Sequence, residues 1–352
     1  MKKNIGYTLA SLAILTAILF LSWWIWDPYP TTEQRFDKGM NGVWIGHQWF
    51  TGRTVKTGRP ISAKERQALV DRLRQHRIRY VFVHAGPVRK DGTINDHPSP
   101  FFFQLTEDYP EGRFLPWLGS RVDTSSFNNA DWAASVIDAL TALQRKGIAG
   151  AHFDFEPLRD NHAEYVAFLK TVREKLGPRY FISHATRRAG PYGISFGPLR
   201  KNFWSKDFYE QTMQHTNQTV LMAYNTTLDI EKNYVGFVKH ETNLLLDYSC
   251  QFDQHSVLIG IPGFEDAPRI SNPSVENIGN GIRGVRAALE TRQPCVSTFD
   301  GVAIYADWVT NRDEWSTYRR LWLDNQTKRN IDPDSLPATQ TSNIHLSRNV
   351  DI

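Results

Sequence analysis

Residues Gly147 to Pro157 read Gly-Ile-Ala-Gly-Ala-His-Phe-Asp-Phe-Glu-Pro. From Ala151 to Glu156 apolar and polar residues alternate, the period of a β-strand. A strand here places His152, Asp154 and Glu156 on one face and Ala151, Phe153 and Phe155 on the other. Two carboxylates in a buried strand cost stability unless they are paired or perform chemistry. Pro157 stops the strand, so Glu156 stands at its C-terminal tip. The plainer alternative is a polar face turned to solvent in a half-exposed antiparallel strand. The flanking sequence instead has the look of an α/β protein, whose strands are covered on both sides.

Outward from this stretch, apolar strands and amphipathic helices alternate. Towards the N-terminus lie strands at Gly42–Gly46, Tyr80–Gly86 and Leu115–Gly119. A helix starts at Ser62, with Glu65 completing a capping box, and another runs from about Asp131 to Lys146, stopped by Gly147. Between the second and third strands a long loop carries Phe101-Phe102-Phe103, read either as a wall of a ligand cleft or as aromatics packing the loop down. Towards the C-terminus follow a helix over 161–176, strands at 180–185, 218–225, 257–262 and 301–308, and helices over 205–215, 231–249, 274–292 and 311–325. Eight strands alternating with helices predict a (β/α)8 TIM barrel over residues 41–325, an architecture of about 250 residues. A doubly wound open sheet is the alternative. It needs a phosphate-binding glycine loop after an early strand, and no Gly-x-Gly-x-x-Gly run stands there.

The 352-residue chain carries 41 basic and 37 acidic residues, well mixed, with no basic run suited to nucleic acid. Aromatics make up 12%, including 11 Trp, which suits a large core and equally a site that stacks on sugar rings. Lys2 and Lys3 precede an uncharged apolar run from Ile5 to Trp26. About 20 apolar residues span a bilayer. The run ends in aromatic residues and lacks a small-x-small cleavage site, so residues 5–26 predict an uncleaved transmembrane signal anchor, with a cleaved signal peptide as the other reading. Residues 1–4 would then be cytoplasmic and the barrel extracytoplasmic, periplasmic or at the cell surface. Residues 27–40 read as a linker and 326–352 as a disordered C-terminal tail. Cys250 and Cys295 each precede an apolar strand by six residues. Adjacent parallel strands would bring them together as a disulfide, and two free buried thiols are the alternative.

A barrel gathers its chemistry at the C-terminal ends of its strands. Those ends offer Trp49, His84, Trp117 with Arg121, Asp154 with Glu156, His184, Tyr224 with Asn225, Glu265 with Asp266, and Asp307 with Trp308. Acids, a tyrosine and tryptophans describe a carbohydrate site better than a phosphate or nucleotide site. His47, His84 and His184 each end a strand, but no His-x-x-x-His spacing supports a metal, and neither metal nor cofactor is expected.

These residues resemble glycoside hydrolase family 18, the chitinase-like barrels. Gly-Ala-His-Phe-Asp-Phe-Glu resembles the end of the family's fourth-strand signature, Asp-x-x-Asp-x-Asp-x-Glu. Met222-Ala223-Tyr224-Asn225 resembles its sixth-strand Met-x-Tyr-Asp, and Trp308 falls where the family floors the subsite of the cleaved sugar. The resemblance runs from about residue 40 to 325. It implies that Glu156 is the general acid and that Asp154 orients the substrate's N-acetyl group, which acts as the nucleophile. Tyr224 would bond that acetamide, and His152, Met222, Asn225, Trp49 and Asp307 would lie around the substrate. A second carboxylate nearby and poor solvation would keep the acid protonated near neutrality.

The first two aspartates of the signature are replaced by Ala149 and His152, and Asn225 stands where the motif often has Asp. His152 is either a satisfied core histidine or a partner for Asp154, whose pKa it would lower as a cation. The expected function is retaining, substrate-assisted hydrolysis of a β-linked N-acetylglucosamine-containing glycan, chitin-like or from a cell envelope. Two alternatives stand beside it. One is a non-catalytic glycan-binding protein. The other is a barrel glycosidase for sugars without an acetamide, with Asp154 or Asp307 as the partner carboxylate.

Overall fold

The computed structural model describes residues 2–94, 97–121, 127–190, 201–263, 272–291 and 295–324, without the side chains of 2–10 and 13. Glu265, Asp266 and the tail from 326 lie outside the described residues. In chain order the strands are β1 (Asn41–Ile45), β2 (Ile78–Pro87), β3 (Arg113–Arg121), β4 (Gly150–Glu156), β5 (Phe181–Thr186), β6 (Arg188–Ala189), β7 (Phe203–Trp204), β8 (Gln218–Met222), β9 (Ser256–Pro262) and β10 (Phe299–Tyr305). Eight of them close into a barrel in the order β1-β10-β9-β8-β5-β4-β3-β2. Every neighbouring pair is parallel, and β1 joins β2 on one side and β10 on the other. Closure excludes the open doubly wound sheet. The short β6–β7 pair stands apart, on the chain leaving β5.

The helices are α1 (Lys2–Ile25), α2 (Gln48–Thr51), α3 (Ala63–Gln75), α4 (Pro100–Asp108), α5 (Ala130–Arg145), α6 (Ala163–Leu176), α7 (Lys206–Met213), α8 (Glu231–Ser249), α9 (Ile278–Glu290) and α10 (Arg312–Tyr318). Ser62 and Glu65 form the expected reciprocal cap of α3, and Asn129 caps α5. Helix α4 falls where a loop was expected. Ser99 accepts a bond from the Phe102 N–H and Pro100 takes the first helical position, a start signal in two residues. Phe102 is buried against Phe50 and Phe114, with centroids 5.2 and 6.1 Å away, so it serves the core, and with Phe103 it lines a cavity that Asp154 and Glu156 do not share.

The alternation in β4 sorts its side chains between two cores. Ala151, Phe153 and Phe155 point out into the layer between barrel and helices, where Phe153 meets Phe168 of α6 at 5.6 Å and Phe155 meets Trp132 of α5 at 5.9 Å. His152 points in, towards Trp44 and Phe82, which belong to a separate cluster filling the barrel with Tyr80, Leu115 and Leu258. Gly279-Asn280-Gly281-Ile282-Arg283-Gly284 spells a dinucleotide-loop pattern, yet it lies inside α9. Its glycines let α9 approach its neighbours. A Cβ on Gly281 would stand 2.7 Å from Ile261, and one on Gly284 2.6 Å from Val238.

Residues 23–32, which include the start of the expected linker, are docked on α8 and α9. Trp23 Nε1 donates to Asn233 Oδ1 at 2.8 Å, and Lys232 Nζ donates to the Trp23 carbonyl at 2.8 Å while lying 5.7 Å from the centre of the Trp26 ring. The backbone N–H and hydroxyl groups of Thr31 and Thr32 all donate to the Glu290 carboxylate, at 2.6–3.1 Å. Arg286 donates to the Thr32 carbonyl at 2.8 Å. The chain from α1 to β1 is thus held along α8 and α9. Part of the expected membrane span, at residues 5–10 and 13, lies outside the described side chains. Among the described residues no helix is long and apolar enough to cross a membrane, so the anchor expected over 5–26 draws no support from the fold. Cys250, just past α8, is joined by a disulfide to Cys295, ahead of β10, with Cα atoms 5.0 Å apart.

Candidate active site

β4 carries the two acids to the C-terminal mouth of the barrel. Parallel register sets Gly119 of β3 beside Asp154 and Trp117 beside His152. The Trp117 indole reaches along the strand pair and donates from Nε1 to Asp154 Oδ2 at 3.0 Å. Asp154 and Glu156 line a cavity of about 500 Å³, together with Arg187, Met222, Tyr224, Asn225 and Tyr305. Glu156, at the strand tip, stands on the open side of this cavity, and Asp154 lies deeper.

Burial pushes Asp154 up to about 7, helped by the neighbouring Glu156 charge and opposed by the Trp117 hydrogen bond. Glu156 is raised as well, chiefly because the surrounding protein displaces water, with Arg187 opposing. Both carboxyl groups at this strand end therefore keep a proton to higher pH than free carboxyls do. Burial raises Tyr224 well above its ordinary value, so its hydroxyl remains a donor.

The far wall follows β8. Tyr224 stacks on Tyr305 with centroids 5.1 Å apart. Tyr305 meets Trp308 edge-on at 5.9 Å, and the Trp308 and Trp117 rings lie nearly parallel, 6.4 Å apart. Trp308 is 47% exposed, a flat apolar face open at the mouth. Asn225 and Thr227 both have positive φ, 55° and 63°, so the chain turns sharply after Tyr224. That turn is pinned by buried Glu276, whose carboxylate accepts from the Thr226 N–H at 2.8 Å and its hydroxyl at 2.6 Å. Arg188 donates to the Asn225 carbonyl.

The structure thus brings together Asp154, Glu156, Met222, Tyr224 and Asn225, with Trp308 on the adjoining wall. It carries Trp49 and Asp307 away from this group and sets His152 beneath it, on the same face of β4 as Asp154. Trp49 is carried into α2 directly after β1, is buried, and stacks on Phe101 at 6.3 Å. The helical turn after β1 packs the ring against α4, and Trp49 does not line the cavity of Asp154 and Glu156. Asp307 gives both oxygens to Arg72 of α3, at 2.6 and 2.9 Å, and serves as the ion-pair partner of that helix. His152 is no cation. It is fully buried, its pKa is pushed well below the ordinary value by that burial, and its Nδ1 pairs with Ser183 Oγ at 2.8 Å. Of the strand-end histidines, His47 Nδ1 bonds the His84 carbonyl at 3.0 Å and His184 is buried between Tyr165 and Thr219. Among the described residues no group of three His, Cys, Asp or Glu could hold a metal ion.

The sequence reading gave no role to Tyr305, Arg187 or Glu276. Tyr305 had a visible signal, being an aromatic within the apolar strand expected over 301–308. Arg187 and Glu276 sit in connecting segments whose path no periodicity foretells.

No protein-family model matches the chain, and no curated protein matches it in sequence. Solved structures do. The spore cortex-lytic enzyme SleL of Bacillus megaterium QM B1551 is similar with a TM-score of 0.54 at 14% identity, over 80% of this chain and 74% of that one. A fungal endo-beta-N-acetylglucosaminidase from glycosyl hydrolase family 18 gives 0.54 at 13%, over 80% and 96%. A chitinase from Chromobacterium violaceum gives 0.54 at 11%, over 82% and 99%. At these identities the likeness is one of fold: the chain forms a closed parallel barrel similar to the barrels of these glycosidases.

Proposed function

We propose that the protein is a retaining glycosidase acting on a β-linked N-acetylglucosamine-containing glycan, with Glu156 as the acid. The observation that supports this most is the pairing of Asp154 and Glu156 at one strand end, both raised in pKa, facing Tyr224 across one cavity. Residues two apart on a strand lie about 7 Å from each other. Glu156 gives its proton to the glycosidic oxygen as the bond to the anomeric carbon breaks. The acetamide oxygen of the same sugar forms the new bond, giving a cyclic oxazolinium. Asp154 stabilises the charge that develops on the acetamide nitrogen, and the Tyr224 hydroxyl donates to the acetamide group. Water then opens the ring, giving its proton back to Glu156. The chemistry needs no enzymic nucleophile. It also leaves no role for Asp307, which Arg72 occupies.

The test is hydrolysis of N-acetylglucosamine oligomers by wild type and Glu156→Gln. Loss of general-acid catalysis lowers kcat by roughly 10²–10⁴, with oligomer binding retained. Equal binding by both proteins, with no turnover by either, would show a glycan-binding protein instead.

Location is a separate proposal. We place the barrel outside the cytoplasm, held at the membrane by residues 5–26. The support is the lysine-flanked apolar run in the sequence and the Cys250–Cys295 disulfide, a bond that persists in oxidising compartments. Protease treatment of cells stripped of any outer membrane, followed by fractionation, checks it. A barrel protected from protease, or found in the soluble fraction, rejects that placement.

A further inference from the structure

Inside the barrel, beneath the mouth, runs a continuous line of hydrogen bonds across five strands. His152 Nδ1 meets Ser183 Oγ at 2.8 Å. Ser183 Oγ donates to Gln218 Oε1 at 2.8 Å, Gln218 Nε2 donates to Ser256 Oγ at 3.0 Å, and Ser256 Oγ donates to Asp300 Oδ2 at 2.5 Å. Tyr80 donates to the same oxygen at 2.9 Å, closing the line from the other side. His152, Ser183 and Gln218 are wholly buried.

The direction of this line follows from hydrogen-bond arithmetic. A carboxylate only accepts, so Ser256 spends its one hydrogen on Asp300. Its oxygen is then left to accept, which turns the Gln218 amide nitrogen towards it and the Gln218 carbonyl towards Ser183. Ser183 spends its hydrogen there and can only accept from the imidazole. Nδ1 of His152 therefore carries a proton. The ring stacks on Phe82 at 4.0 Å and stands edge-on to Trp44 at 5.7 Å, apolar surroundings that favour a neutral imidazole. A neutral ring protonated at Nδ1 is bare at Nε2. Among the described residues two buried polar atoms of β4 have no hydrogen-bond partner, His152 Nε2 and Asp154 Oδ1, and they belong to successive residues on one strand face. The other Asp154 oxygen is already taken by Trp117.

We infer that Asp300, acting through Ser256, Gln218 and Ser183, fixes His152 as the Nδ1–H tautomer, and that its bare Nε2 is the acceptor for the proton of the Asp154 carboxyl, directly or through one water. Asp300 and Ser183 are positioning residues, remote from the substrate. His152 then acts as a fixed lone pair rather than a charge. It steadies the protonated form of Asp154 while Asp154 awaits substrate; when substrate binds, that proton passes to the Glu156 carboxylate, leaving Asp154 ionised and Glu156 the acid, and no proton need leave the imidazole. The catalytic part of this statement rests on the proposed glycosidase reading, whereas the tautomer does not.

The experiment is 15N NMR of the full chain labelled at its histidine side chains, with the His152 signals identified by their absence in His152→Gln. The expected spectrum has Nδ1 in the protonated range and Nε2 in the bare-nitrogen range at neutral pH. An Nε2–H tautomer, or an imidazolium, would overturn the inference without touching the proposed function. Asp300→Asn supplies a donor where only an acceptor stood, allowing the whole line to reverse. It is expected to move His152 towards the Nε2–H form and to lower kcat about tenfold with little change in KM. An unchanged tautomer in folded Asp300→Asn would overturn the role given to Asp300. Should that variant not fold, the wild-type spectrum with that of Ser183→Ala, in which the Nδ1 preference is expected to be lost, decides the matter. A wild type with the expected tautomer but no turnover on N-acetylglucosamine oligomers would remove the glycosidase reading and leave the polarity of the line intact.

Discussion

Asp154 and Trp117 show how little a single side chain does alone. The indole is the donor that holds Asp154 towards its charged form against burial and the Glu156 charge. Replacing it in Trp117→Phe keeps the ring and removes the N–H, so the Asp154 pKa rises further, and the pH profile of kcat/KM should move in the alkaline direction on the limb that reports this pair. A second consequence concerns stability. The folded-state pKa of Asp154 lies above its unfolded value of 3.8. The native state therefore holds a proton that the unfolded chain has released, and stability falls as pH rises from about 4 to 7. Asp154→Asn removes that loss. Its melting temperature should exceed that of wild type at pH 8, and the advantage should vanish near pH 4. Thermal melts at the two pH values check this. At this scale the sequence was informative where alternation was strict: Glu156, Asp154 and His152 could be assigned to one face of one strand. It was misleading for Asp307 and Trp49. Whether an acid at a strand end meets a sugar or an arginine depends on Arg72, 235 residues away in the chain.

Elements were legible in proportion to the signals that bound them. Helix α3 was announced by Ser62 and Glu65, α5 by the Gly147 that stops it, and the strands by their aliphatic runs. Helix α4 was missed although Ser99-Pro100 marks its start, because three successive phenylalanines obscure any 3.6-residue period. The Asn225–Thr227 turn after β8 was beyond reach, since its anchor is Glu276, 50 residues further on. That anchor carries an element-scale prediction. Glu276→Ala strands the Thr226 N–H and hydroxyl in a buried site, at about 1–3 kcal/mol for an unsatisfied group. It should also raise KM for oligosaccharide, because Asn225 and Thr226 line the cavity. Calorimetry and steady-state kinetics on the same sample separate the two effects. The outward face of β4 gives a contrasting case. Phe153→Ala opens a cavity between barrel and helices and should cost about 3–5 kcal/mol with no specific change in pH profile.

For the whole molecule, the count of eight strands decided the architecture, and a closed parallel barrel is what the chain forms. Closure also explains how a polar line can cross the interior. Neighbouring inward positions on β4, β5, β8, β9 and β10 fall at one level, so His152, Ser183, Gln218, Ser256 and Asp300 meet although they span 149 residues from 152 to 300. No local pattern could have shown this, because each residue is an ordinary inward position on its own strand. The disulfide is another whole-chain constraint. It closes a loop with a sequence separation of 45, which removes unfolded-state entropy worth about 2–4 kcal/mol. Cys250→Ser with Cys295→Ser should lower the melting temperature accordingly and leave turnover unchanged, since neither cysteine lines the cavity.

The docking of residues 23–32 on α8 and α9 has a geometric consequence. A free chain of 14 residues would let a domain wander over roughly 20 Å. Glu290, Arg286 and Lys232 remove that freedom by gripping the segment at several points. Helix α1 is then a handle rather than a leash. Whatever holds the handle also sets the compass bearing of the barrel mouth, so that the cavity beside Glu156 faces one fixed direction instead of sweeping.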